Sequence, residues 1–344
     1  MTQRAEELAQ KVFEYSPPQT VTEALVMLQA RAPAAEELAT RAFRDRDRTA
    51  WNLLQRGVFS LPIFKVTSGR EADRFRPFLR GELVAAGIRD LVWEVEERHL
   101  DWLTPPKPMS GEEAAVFVEA EFRRRSVMHH PIFEYLASAK LTKEQERAAV
   151  LSYLQSVMVR IRTVHRSIML VQLPMEFHDC ISLSPLVVDE LGGGNLEKAH
   201  AQRTARDIER WGGTVDWHAP VDSVEMMAML NWNLRTVTHP NQLWSYVGIF
   251  CVEWNSYLEL RGALLALRRR GIPDHMMDVL VAHGEGDPYD VDGHARRVRE
   301  GLGRRILSEK DASLVLTGIA HHQSLYHGFF EGEFAKLRAA IEKC

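Results

Sequence analysis

At 344 residues, with 45% hydrophobic and 26% charged side chains, the chain can bury one large core or two smaller ones and has an ordinary globular composition. A formal charge of −4 argues against non-specific nucleic-acid binding, which needs a basic face. Cys180, Cys251 and Cys344 lie far apart with no CxxC spacing, which argues against a disulfide framework or cysteine zinc site and points to a reducing cytoplasm.

The chain opens on MTQRAEELAQ, which lacks the apolar run of a signal peptide, and no later stretch approaches the ~18 apolar residues of a membrane span. Helical periodicity then dominates. AEELAQKVFEY and TVTEALVMLQARA place apolar residues at three- and four-residue intervals. Phe59 to Val66, FSLPIFKV, is the best strand candidate, weakened by Pro62. TPPKPM at 104–109 is the strongest linker signal, because adjacent prolines cannot continue a helix. We therefore expect an accessory helical region over 1–108 and a helical core over 109–344.

Beyond the linker, GEEAAVFVEAEFRR, KEQERAAVLSYLQSVMVRIRTVHRSIMLVQ, EKAHAQRTARDIERWG, LWSYVGIFCVEWNSYLELRGALLALRRRG and the final ASLVLTGIAHHQSLYHGFFEGEFAKLRAAIEK all read as helices. His129-His130-Pro131 reads as a helix start, and Gly212-Gly213 as a helix C-terminal cap. The fold class is all-α. The arginine triplets 123–125 and 268–270 read as solvated helix faces rather than binding patches.

Metal-ligand residue types recur in this helical core. Glu190 and His200 bracket a glycine triplet in DELGGGNLEKAH; the triplet lacks the lysine and hydroxyl residue of a P-loop, so it is a weak phosphate signal. Glu253 lies in GIFCVEWNSYLEL, apolar on most sides, where a carboxylate is costly to bury unless paired, protonated or bound to a cation. Metal ligation and a salt bridge to an arginine stand level there. If residues 283–294 formed one helix, His283, Asp287, Asp290 and His294 would fall within about 60° of one another, a grouping suited to Fe(II), Mn(II) or Zn(II). Gly284, Gly286 and Pro288 oppose that helix, and Asp287-Pro288 equally suits a helix N-cap. His165, His321, His322, His327 and Glu331 read more simply as packing or surface residues, and Trp217, Trp232, Trp244 and Trp254 as packing residues. No G-x-S-x-G, Rossmann glycine pattern or HExxH is present.

In combination these residues resemble the heme-oxygenase-like di-iron oxidases and oxygenases, a helical family related in fold to thiaminase II and pyrroloquinoline-quinone synthase. The family pattern is a Glu, a His ten positions on, a lone Glu on a later helix, and about thirty residues further His-x-x-x-Asp-x-x-His. Here Glu190, His200, Glu253, His283 and Asp287 fit that order, and HHPIFEYLASAKLTKEQ resembles the family's opening helix. The resemblance covers roughly residues 115 to 340. The last ligand position departs from it: Asp290 stands where the family has His, so Asp290 ligates, or His294 one turn on replaces it, or the second metal is weak.

The resemblance implies a heme-oxygenase-like bundle with an N-terminal helical extension. It implies two irons held by Glu190, His200, Glu253, His283, Asp287 and Asp290 or His294, with O2 as co-substrate and an external electron donor. Family members desaturate, cyclise, fragment or oxygenate amino acids, amines and fatty acids. An amino-acid-tailoring role in a biosynthetic pathway, like that of the azetidine-forming enzymes of polyoxin biosynthesis, is the expectation carried forward. A homodimer is left open. The competing readings are a metal-free enzyme like thiaminase II or the quinone synthase, and an all-α binding protein whose acids only form salt bridges.

Overall fold

The computed structural model describes residues 2–61, 72–104, 108–168, 177–217, 219–239, 241–285 and 294–344, without the side chains of 72–79, 165–168 and 177–182. The chain divides into two compact units, Met1–Asp101 and Trp102–Cys344. The proline segment at 104–109 falls just inside the second unit, and residues 105–107 of it lie outside the described residues.

The first unit contains α1 (Thr2–Phe13), α2 (Val21–Phe43), α3 (Arg48–Phe59) and α4 (Ala72–Arg98). Thr20 caps α2 by accepting from the Glu23 backbone N–H, and Asp47 caps α3 by accepting from Thr49 and Ala50. The helices close over Leu8, Val12, Leu38, Leu54, Val84 and Ile88, each almost wholly buried. Phe59, the expected start of a strand, is the last residue of α3; residues 62–66 lie outside the described residues.

The second unit runs α5 (Gly111–Arg124), α6 (Pro131–Ser138), α7 (Lys143–Ile168), α8 (Phe177–Glu190), α9 (His200–Arg210), α10 (Val224–Thr238), α11 (Gln242–Arg269), α12 (Asp278–Gly284), α13 (His294–Gly303) and α14 (Glu309–Glu342). Two short strands, β1 (Met109–Ser110) and β2 (Ile306–Leu307), pair antiparallel with Met109 opposite Leu307. The all-α class therefore holds, and no described helix is long and apolar enough to cross a membrane.

Helix α11 is the axis of this unit, packing against α6, α10, α12, α13 and α14. Its sequence explains that position: from Leu243 to Cys251 every residue is buried, so the helix has no wet side there. Its Trp244 and Phe250 pack against Trp232 of α10 and Phe122 of α5, each contributing roughly 1.5–3 kcal/mol on burial. Asn241 caps its N-terminus, and Ser110 and Glu113 form a full capping box on α5. His130 caps α6, its Nδ1 accepting from the Ile132 N–H with Pro131 at the first helical position, the helix-start role expected of that triplet.

Candidate metal centre

Five of the residues singled out above meet around the middle of α11. Glu253 comes from that helix itself. Glu190 is the last residue of α8, His200 the first of α9, His283 lies in the last turn of α12, and His294 opens α13. Helix ends thus converge on the flank of one central helix.

The local chain explains the first pair. Gly192, Gly193 and Gly194 take φ of 76°, 63° and 82°, a left-handed run that side chains rarely tolerate. A Cβ on Gly192 would lie 2.5 Å from the Ala199 backbone nitrogen. The triplet is thus a left-handed reversal that joins the end of α8 to the start of α9. Gly212 at φ 69° ends α9, with Gly213 N–H bonding back to Ile208 O at 2.9 Å.

The reversal brings His200 Nδ1 to 2.6 Å from Glu190 Oε2 and 3.0 Å from His283 Nε2. His283 Nδ1 donates to its own helix at Val279 O, 2.8 Å away. That bond keeps the ring proton on Nδ1 and turns the Nε2 lone pair toward His200 and Glu190. Burial, reinforced by the neighbouring His200, pushes the His283 pKa down to about 3, so its ring is neutral and free to donate its electron pair.

A second group forms on the other oxygen of the same carboxylate. His294 Nδ1 lies 3.8 Å from Glu190 Oε1 and 3.1 Å from Glu253 Oε2. Burial opposes charge on this ring, yet Glu253, Glu190 and Asp189 together raise its pKa to about 9. The ring is therefore protonated on both nitrogens, Nδ1–H toward Glu253 and Glu190 and Nε2–H toward Asp189. Glu190 and Glu253 retain only 12% and 13% of their side-chain exposure, so water screens the cluster poorly.

Within each group, one ligand atom per residue lies within 4.8 Å of the others: Glu190, His200 and His283 in the first, Glu190, Glu253 and His294 in the second. Hard carboxylate oxygens with imidazole nitrogens form the donor set that Fe(II) or Mn(II) accepts, and the inward Nε2 of His283 can join it. The residues present fit a metal.

Asp287 and Asp290 lie outside the described residues. His283 and His294 belong to separate described helices, so the single helix imagined over 283–294 is not what aligns them. Of the remaining candidates, His327 Nε2 meets Arg125 O at 3.0 Å and Glu331 meets His130 at 3.4 Å. His322 is fully buried between Asn255 and Asn233. None of these three joins the metal-ligand groups. The side chain of His165 lies outside the description. Asp189 was missed: its Oδ2 lies 3.3 Å from His294 Nε2, and no spacing rule singles it out beside Glu190.

Residues 164–327, just under half of the chain, match the family described as iron-containing redox enzymes, a heme-oxygenase-like group. All five convergent residues, together with Asp287 and Asp290, fall inside that span. The match supports an oxidoreductase-type function. No curated protein matches the chain.

Proposed function

We propose that the protein is a non-heme di-iron oxidase or oxygenase that uses O2 to desaturate, cyclise or oxygenate a small amino-acid-like substrate in a biosynthetic pathway. One observation carries the reading: two three-residue groups of oxygen and nitrogen donors share the carboxylate of Glu190, one on each of its oxygens. A single metal would leave one group holding only protons. Two metals would use both groups, with Glu190 belonging to each.

In this reading the first ion is held by Glu190, His200 and His283, and the second by Glu190, Glu253 and His294. Asp287 and Asp290 are further ligand candidates from the segment joining α12 and α13. Bound iron would supply electrons to O2 and the oxidising power to remove hydrogen from an unactivated C–H bond. The chain's own part is positional and protic. Val279 O holds His283 in its inward-facing tautomer, and the glycine reversal fixes the spacing of Glu190 and His200. His294 must release the proton from its Nδ1 before it can ligate, so loading the second ion liberates a proton. The amino-acid substrate, external electron donor and cytoplasmic setting belong to the same proposal.

The test is rapid mixing of anaerobically Fe(II)-loaded protein with O2 across a panel of free amino acids. The reading expects a transient visible absorbance that one amino acid accelerates, and loss of that signal in Glu253→Ala and His283→Ala. Reaction with O2 no faster than that of free Fe(II), with every amino acid tried, would overturn it.

A further inference from the structure

Resting on the metal reading above, we infer that Asp189 is a positioning residue that makes His294, through its Nδ1, a ligand of the second ion. The argument starts from the two nitrogens of one ring. His294 Nε2 faces Asp189 Oδ2 at 3.3 Å, while Nδ1 faces Glu253 Oε2 at 3.1 Å and Glu190 Oε1 at 3.8 Å. A neutral imidazole carries one proton and one lone pair. Carboxylates accept at both nitrogens of this ring, so when a metal ion displaces the Nδ1 proton, Asp189 holds the remaining proton on Nε2 and leaves the lone pair on Nδ1. That lone pair then points at two carboxylate oxygens. In the metal-free protein a proton on Nδ1 lies among these three atoms, and a metal ion that displaces it would take the same place.

His283 makes the independent comparison. Its outer nitrogen is also engaged, by Val279 O at 2.8 Å, and its inner nitrogen faces the first donor group. With both ions bound the two rings would use opposite tautomers: Nδ1–H outward in His283, Nε2–H outward in His294. Each tautomer follows from the acceptor behind the ring, and each aims its lone pair at its own group. An outer acceptor that orients a ligating imidazole is the usual second layer of a metal site.

Adjacency on α8 makes the device compact. Asp189 and Glu190 are consecutive, so their side chains leave the helix about 100° apart. One passes behind the His294 ring and the other in front of it. Asp189 keeps 52% of its side-chain exposure, which suits a residue that touches the ring from the solvent side and is not itself a ligand.

The test is Co(II) titration of the metal-free protein, followed by visible absorption, for wild type, Asp189→Ala and Asp189→Asn. We expect wild type to bind two ions, and Asp189→Ala to weaken the second ~10–100-fold while leaving the first unchanged. Asp189→Asn, which keeps an acceptor oxygen, should recover part of that loss. A purely structural role would lower the melting temperature or weaken both ions alike. Equal second-ion affinity in wild type and Asp189→Ala overturns the inference while leaving the two-metal reading intact. A wild type that takes no cobalt overturns both. Should Asp189→Ala fail to fold, nitrogen-15 spectra of Zn(II)-loaded wild type decide the matter. They must show the His294 proton on Nε2, and a proton on Nδ1 refutes the assignment.

Discussion

Two glutamates six positions apart on α11, Glu253 and Glu259, meet opposite fates. Glu259 is 1% exposed and fully partnered: Arg160 donates to both of its oxygens, Tyr153 donates at 3.0 Å and Tyr326 at 2.5 Å. Burial opposes the Arg160 charge, and Glu259 with the two tyrosines more than restores it. The charges cancel and the hydrogen bonds close. Glu253 faces His294 and, among the described residues, no lysine or arginine. An arginine salt bridge, the alternative weighed for Glu253, is formed by Glu259, while Glu253 pairs with His294. The cluster around Glu259 neutralises itself, whereas the donor set around Glu253 fits a metal ion.

The sharpest way to break this contrast is to remove each acid from metal-free protein and measure denaturant unfolding. Glu259→Ala strands the buried Arg160 guanidinium and should cost about 3–5 kcal/mol. Glu253→Ala should stay within about 1 kcal/mol of wild type, because His294 keeps Asp189 and Glu190 beside it. Equal costs would dissolve the distinction.

Acid sharpens it next. His322 sits at the core end of the same network, stacked on Tyr326, with Nδ1 3.1 Å from the Asn255 amide nitrogen and Nε2 3.2 Å from Asn233 Oδ1. Burial, helped by His321, pushes its pKa down to about 3. In the unfolded chain a histidine titrates near 6.5, so between those values the unfolded state binds the extra proton. Its contribution is complete above pH ~6.5 and is lost as the pH falls. Going from pH 7 to pH 5 should remove about 2 kcal/mol, and His322→Gln should flatten that slope. An unchanged slope in the variant would remove His322 from the account. Smallest is the control: Ser110→Ala deletes the α5 cap, costing ~1 kcal/mol of stability with no change in metal content. A change in metal content there would show that the site reports global stability.

Much of this was legible in the residues, for identifiable reasons. Three- and four-residue apolar spacing gave the helices, because burial of one face drives them. His130-Pro131 and Gly212-Gly213 marked real helix ends because cap chemistry is local. Glu190, His200, Glu253 and His283 were named in advance, and the structure draws them together with His294, the alternative to Asp290. The Arg160–Glu259 pair, 99 residues apart, could not be read, since pairing across the bundle is set by packing. Asp189 escaped because its role depends on the far side of a ring from another helix.

The central claim is that two overlapping donor groups hold two irons, and metal analysis after anaerobic Fe(II) loading and desalting tests it most directly. The account predicts about two irons per chain, matching the two donor groups, falling toward one in His294→Ala. Wild-type protein that retains no iron, or His294→Ala that retains as much as wild type, would contradict it.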